Sequence, residues 1–360
     1  MSADFDEEFY LAYNQDVAAA VARGVFASGR EHFETFGLKE GRLHRKSRKT
    51  MHFYIDVFSY CNLRCPSCVV GNKYGGTSDW PRGIMHPSLL ERILEKATSE
   101  CDVSGVGLFN WTEPLLHPDI CELVSVVKKR NLSCTMSSNL NVLRKPEKLL
   151  AAGLDWLRVS LSGFTQETYE RGHRGGNIEV VKANMERLAA AKASVGASTD
   201  LEVFYHIYRY NRHEIETMSA FARSLGFRFA STLAYVTPVE KILALAAGDE
   251  SPEDTEILKA LVVPLEAAID ITSKSECNYC SLLEDVVALD VRGNIMLCCG
   301  CSMNEQNVIG GFLDLPMQQI QRRRRENPLC GPCMKHGIAT YFAGHPSFGE
   351  FVDAEADGVG

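Results

Sequence analysis

Six β-rich runs separated by helical periodicity constrain this chain more than any other feature. The runs are His52–Val57, Val103–Asn110, Leu132–Ser137, Trp156–Leu161, Leu201–Tyr208 and Phe227–Val236. Helical patterns fall between them at roughly 87–100, 118–130, 146–152, 177–194 and 212–225. Strands joined through helices pair in parallel, so the segment reads as a parallel sheet with helices on its outside. Six units fall short of the eight that close a barrel. The expected fold is therefore α/β, a partial (β/α)6 TIM-like barrel over residues 51–237. Such sheets gather ligands at the carboxyl ends of their strands, which says where to look for chemistry.

The first strand ends at such a place. Cys61, Cys65 and Cys68 follow it as C-x3-C-x2-C, and no cysteine occurs in the next thirty residues. A closed structural metal site would bring a fourth ligand nearby. Three thiolates instead hold three corners of a four-iron cluster and leave one iron open to a small molecule. Arg64 stands between two of these cysteines, where its charge would help to bear an anionic cluster.

Cysteine usage extends this reading. Of the 13 cysteines, three lie at 61–68, seven at 277–333, and Cys101, Cys121 and Cys134 stand alone as small buried hydrophobes. The N-terminus is acidic and has no apolar leader segment, and no run of about 18 apolar residues occurs, so a cytoplasmic protein without a membrane span is expected. In that compartment thiols stay reduced, and many cysteines point to metal or redox chemistry. A net charge of −8 argues against nucleic acid as a partner. The run Arg322–Arg325 reads as a solvated helix face.

The remaining segments divide as follows. Residues 1–46 form a small helical module. In it Phe5, Phe9, Tyr10 and Tyr13 share a helix face, Asp16 caps a second helix, and a third piece ends at Gly37. Residues 238–276 make a helical connection, with one helix at 252–270. Residues 277–340 form a small cysteine-rich α+β domain with a hairpin at Arg292-Gly293-Asn294, and 341–360 are a tail.

Three thiolates after the first strand of a six-fold β/α pattern resemble the radical S-adenosylmethionine (radical SAM) superfamily. That resemblance implies an open iron that chelates the amine and carboxylate of S-adenosylmethionine (SAM). It also implies reductive cleavage of the S–C5′ bond and hydrogen abstraction by a 5′-deoxyadenosyl radical. Asn110-Trp111-Thr112-Glu113-Pro114 resembles the family's G-G-E-P segment, with Trp111 and Thr112 in place of the glycines. Ser67 stands where the family usually has an aromatic residue. Ser137-Ser138-Asn139-Leu140 and Val159-Ser160-Leu161-Ser162-Gly163 follow the third and fourth strands. By resemblance Glu113, Ser138, Asn139 and Ser160 contact SAM. The basic loop Arg171–Gly176, His206 and Arg209 are candidates for the substrate pocket.

The C-terminal cysteines resemble the short, Twitch-type version of the SPASM auxiliary-cluster domain, as in enzymes of the 2-deoxy-scyllo-inosamine dehydrogenase type. The resemblance implies a second [4Fe-4S] cluster on Cys298, Cys330, Cys333 and either Cys277 or Cys280. Cys280 is preferred for its 18-residue step to Cys298, while Cys299 and Cys301 are left over. Such a chain is expected to oxidise an alcohol on a small, sugar- or aminocyclitol-like molecule, with the second cluster taking an electron. A flavodoxin- or ferredoxin-like protein would supply the starting electron. Two other readings stand beside this one: a maturase that modifies a peptide, and a non-catalytic iron–sulfur or zinc protein.

Overall fold

The structure is a computed structural model that describes residues 5–44, 48–72, 80–275, 279–349 and 351. The chain divides into two compact units, residues 1–49 and 50–360. In the first, helices Glu7–Tyr13, Gln15–Ala22 and Gly29–His32 lead into a π-helical turn, Phe33–Gly37. Tyr10, Val17 and Phe33 make its core. The aromatic residues expected on one face part company: Tyr10 is buried, while Tyr13 is exposed and stacks on Phe9 at 5.3 Å. Asp16 lies within the second helix and pairs with Arg42 at 2.8 Å instead of capping.

The second unit holds the expected parallel strands. They are β1 (Thr50–Ile55), β2 (Asp102–Gly107), β3 (Cys134–Ser138), β4 (Trp156–Leu161), β5 (Asp200–Ile207) and β6 (Arg228–Leu233). Each pairs in parallel with the next. Three further strands are β7 (Val286–Leu289), β8 (Asn294–Met296) and β9 (Val308–Gly311). The sheet order is β6-β5-β4-β3-β2-β1-β7-β8-β9, so β1 is bonded to β2 and β7 and never to β6: the barrel is open.

Alternation along the strands sorts side chains between two environments. In β4, Leu157, Val159 and Leu161 are buried against the outer helices, while Trp156, Arg158 and Ser160 take the opposite face. The outer layer includes Pro87–Glu100 and Ile178–Val195, whose apolar sides join the main core at Leu90, Ile93, Leu94, Val181, Met185 and Leu188. The second helix is bounded by local chemistry. Asn177 accepts from the amides of Glu179 and Val180, and Gly196 ends it at φ +62. A short helix, Gln166–Gly172, takes in the first two residues of the expected basic loop Arg171–Gly176.

The cysteine-rich segment is continuous with the barrel sheet, because β7 pairs in parallel with β1, His52 opposite Val286. The hairpin appears between β7 and β8, with Gly293 at φ +79. Among the described residues between 238 and 275 the chain forms three helices, Val239–Ala246, Pro252–Ala260 and Leu265–Ser273, in place of the single one expected at 252–270. Pro264 at the start of the third marks the break.

Candidate functional site

The site grows from the end of β1. Asp56 is fully buried there and accepts from the amides of Asn110, Trp111 and Thr112 at 3.0–3.1 Å and from the Thr112 hydroxyl at 2.6 Å. The residue at the end of one strand thus fixes the loop at the end of the next. Thr112, at a family glycine position, supplies the hydroxyl that links Asp56 to the carbonyl of Phe58. Sequence reasoning passed over Asp56, although a carboxylate inside the apolar run His52–Val57 was a signal.

The fixed loop presents Glu113, which is buried. Its carboxylate accepts from the Ser138 hydroxyl at 2.7 Å, the Asn139 amide at 2.8 Å and the Leu115 amide at 3.1 Å. Burial pushes its pKa up to about 7, opposed by these bonds. Asn139 reaches onward: its side-chain amide donates to Asn62 at 3.0 Å and lies 3.7 Å from the Cys61 sulfur. Three residues expected at one ligand are therefore one network that touches the cysteine loop. Ser138 has a role that the sequence reading did not foresee, because its hydroxyl also accepts from the Leu140 amide and so braces Glu113. Ser160 bonds to Ser137 at 3.1 Å and faces the same cavity.

The cysteine loop is held from several sides. Arg64 folds back to donate to the carbonyls of Cys61 and Leu63, and its amide donates to the Arg174 carbonyl at 2.9 Å. A β-carbon on Gly71 would come within 2.0 Å of the Cys65 carbonyl, so only glycine lets the helical turn Val69–Asn72 close on this loop. Ser67 accepts from the hydroxyl of buried Tyr208 at 3.0 Å, which brings an aromatic ring from beyond β5 to the place where the motif lacks one.

Cys61, Cys65 and Cys68 line one cavity of about 480 Å³ together with Glu113, Ser138, Asn139 and Ser160. Burial raises all three thiols, Cys61 to about 12 and Cys68 to about 11; the Glu113 carboxylate adds to the rise at Cys61, Asp56 to that at Cys68, and the other two sulfurs to that at Cys65. Metal bonding is the ordinary way to make such crowded thiols into thiolates. His206 and His173 of the basic loop also line this cavity, whereas Arg209 turns away to the carbonyls of Leu261 and Val262.

A second cavity, about 40 Å³, is lined by Cys280, Cys298, Cys301, Cys330 and Cys333. Four of these include every described cysteine expected at the second cluster. Cys301 joins them, its sulfur 3.4 Å from that of Cys298. Cys277 lies outside the described residues. Cys299 points elsewhere and lines the first cavity. Among the described residues no three His, Cys, Asp or Glu side chains converge as a single ion requires; the thiols are spread around cavities instead.

Arg324 corrects the reading of the arginine run as a solvated face. Its neighbours in the run reach solvent, but Arg324 is wholly buried because the helix Met317–Arg325 packs one side onto the sheet. It donates to the carbonyls of Leu297 at 2.7 Å and Leu282 at 3.1 Å, and its Nη1 has no partner. Burial lowers its pKa, while Cys298, Cys299, Cys280 and Cys330 oppose that. A buried cation with an unused donor beside four thiols fits an anionic, thiolate-held group. Between the two cavities Trp111 donates its indole N–H to the Cys301 carbonyl at 2.8 Å.

Residues 55–222 match the family model of the radical SAM superfamily. A probable GTP 3′,8-cyclase of Methanococcus maripaludis is 27% identical over 218 residues, covering 60% of this chain and 69% of that protein. The PqqA peptide cyclase of Gluconobacter oxydans is 29% identical over 180 residues, covering 49% of this chain and 47% of that one. Among solved structures, Streptococcus suis SuiB bound to S-adenosylmethionine superposes with a TM-score of 0.55 at 15% identity, covering 91% of this chain and 80% of that one. Native anSMEcpe with bound AdoMet gives 0.50 at 14%, covering 77% and 82%. At such identities these two likenesses speak to the fold. No described helix is long and apolar enough to cross a membrane.

Proposed function

We propose that this chain cleaves SAM reductively on a cluster held by Cys61, Cys65 and Cys68 and takes a hydrogen atom from a small polar substrate in the 480 Å³ cavity. The observation that carries this is the shared cavity, in which three crowded thiols stand beside Glu113, Asn139 and Ser160. When bound, the first cluster and SAM supply a carbon radical, and a second cluster supplies an acceptor for the electron left after an alcohol has also lost its proton.

The protein's own groups have these roles. Glu113 offers a carboxylate to the SAM ammonium, and Ser138 and the Asn139 amide fix its orientation. The Asn139 side chain donates toward Cys61, a bond that tunes a thiolate-held cluster. Ser160 offers a hydroxyl at the end of β4. Cys280, Cys298, Cys330 and Cys333 hold the second cluster, with Cys301 able to replace one of them, and Arg324 offsets its charge.

Oxidation of an alcohol is favoured over the ring closures named for the relatives because the second thiol set gives the electron a place to go beside the same cavity. An external one-electron donor of the flavodoxin or ferredoxin type would start each turnover. The test is anaerobic assembly of the clusters, then SAM and dithionite. About eight irons per chain and release of 5′-deoxyadenosine are expected. Protein that takes up iron and never cleaves SAM would sink the proposal.

A further inference from the structure

Arg64, Arg174 and Arg324 each act on thiols of the two sets, and among the described residues a further cation deeper in the barrel does not. Arg64 and Arg174 are the cations that act on Cys61 and Cys65, and Arg324 sits among the second set. Arg158, on the inner face of β4 two residues before Ser160, has no such counterpart. No carboxylate of the described residues pairs with it. The acid that acts on it, Glu202, is engaged by Arg228 at 3.3 Å. Its one hydrogen bond runs from Nε to the Ser137 hydroxyl at 3.2 Å. The rings of Phe204, Trp156 and Phe109 surround the guanidinium at 4.5, 5.5 and 5.6 Å. They hold the fork in place and exclude water from its faces.

The terminal nitrogens of Arg158 therefore carry four N–H donors and no acceptor among the described residues, on a residue that lines the main cavity. A guanidinium in such surroundings is costly to leave unpaired, and its planar fork matches a carboxylate or phosphate. We propose that Arg158 anchors an anionic group of the substrate, a carboxylate or a phosphate, one pleat below the SAM end of the cavity. Residues i and i+2 on one strand face are separated by roughly 7 Å, so an anion held here leaves the mouth to the cluster and SAM. The proposal rests on the radical reading only for what is done to the substrate.

The test uses the full chain with its clusters assembled, saturated with SAM and titrated in a calorimeter at constant ionic strength. Inorganic phosphate and acetate are the probes, each alone. Saturable binding of phosphate marks a phosphorylated substrate, and binding of acetate alone marks a carboxylate. Arg158→Gln is expected to weaken the binding at least about tenfold, and Arg158→Lys, with charge but no fork, to fall between. Three results overturn the proposal: neither anion binds the wild type, the variants bind as tightly as the wild type, or saturating SAM abolishes binding. The last would give Arg158 to the SAM carboxylate. If Arg158→Gln does not fold, Arg158→Lys decides. Release of 5′-deoxyadenosine by the wild type is measured on the same preparation. Its failure would remove the radical reading and leave the anion titration standing.

Discussion

The two thiol sets differ in what surrounds them. Cys61, Cys65 and Cys68 open on a cavity of about 480 Å³ with polar strand ends around it, and their cations, Arg64 and Arg174, sit on loops. Cys280, Cys298, Cys301, Cys330 and Cys333 enclose about 40 Å³ with no polar lining beyond sulfur, and their cation, Arg324, is wholly buried. One set leaves room for a ligand beside the proposed cluster; the other leaves room for little beyond the proposed cluster itself. Openness suits chemistry on a bound molecule, while enclosure suits holding charge with little solvent rearrangement.

The comparison breaks most directly at Cys65. On the proposed reading, Cys65→Ser should abolish 5′-deoxyadenosine formation and lower iron from about eight to about four per chain, with the absorbance of the proposed second cluster retained. Loss of both clusters together would mean the sets are not separate. Glu113→Ala removes a buried carboxylate that satisfies three donors, so SAM affinity should fall by roughly 10–100-fold and stability by about 2–3 kcal/mol. Equilibrium dialysis with SAM and urea unfolding read the two effects. Arg324→Met takes the positive charge from the enclosed set. The potential of the second cluster should drop by roughly 60 mV or more, the one-electron equivalent of tenfold, while the first cluster's signal stays in place. Redox titration followed by electron paramagnetic resonance checks this.

A pH dependence sharpens the picture of the open side. Burial lowers the pKa of His173 to about 4, and its ring bonds to Ser162 at 2.8 Å. The folded state therefore stays neutral at this group, while the unfolded chain takes a proton below its ordinary value near 6.5. Stability is full above about pH 6.5 and is lost as pH falls toward about 4, by roughly 1.4 kcal/mol per unit. His173→Gln should flatten that slope in a series of urea unfolding curves. The smallest effect is expected at Trp111→Phe, which deletes the indole bond to Cys301 and should cost about 1 kcal/mol. A larger loss, or a shift in the second cluster's spectrum, would mean that the two regions are mechanically coupled through this ring.

Much of this was legible without coordinates, and the reasons differ by residue. The alternation of strand and helix gave β1 to β6, because each strand's apolar residues recur at a spacing that only a parallel sheet with outer helices buries. It also put Cys61, Glu113, Asn139 and Ser160 at strand ends, which the sheet gathers into one cavity. Arg158 was not found, since a lone arginine in a strand pattern reads like any surface cation until the ring cage and the missing acid are seen. Arg324 was misread for a related reason: four arginines in a row look solvated, and which one faces inward depends on how its helix rolls against the sheet. The strand-end position of Ser138 was legible, but that its hydroxyl is committed to Glu113 was not.

The sequence by itself determined the open barrel and the incomplete triad of Cys61, Cys65 and Cys68, because local periodicity and ligand spacing are both short-range properties. Tertiary structure alone decided three things: that β7 joins β1, that Cys301 sits with the second thiol set, and that Arg158 and Arg324 pair with no carboxylate among the described residues. Each depends on contacts between residues far apart in the chain. Burial and the supply of counter-charge are set by such contacts and have no signature in the neighbouring residues.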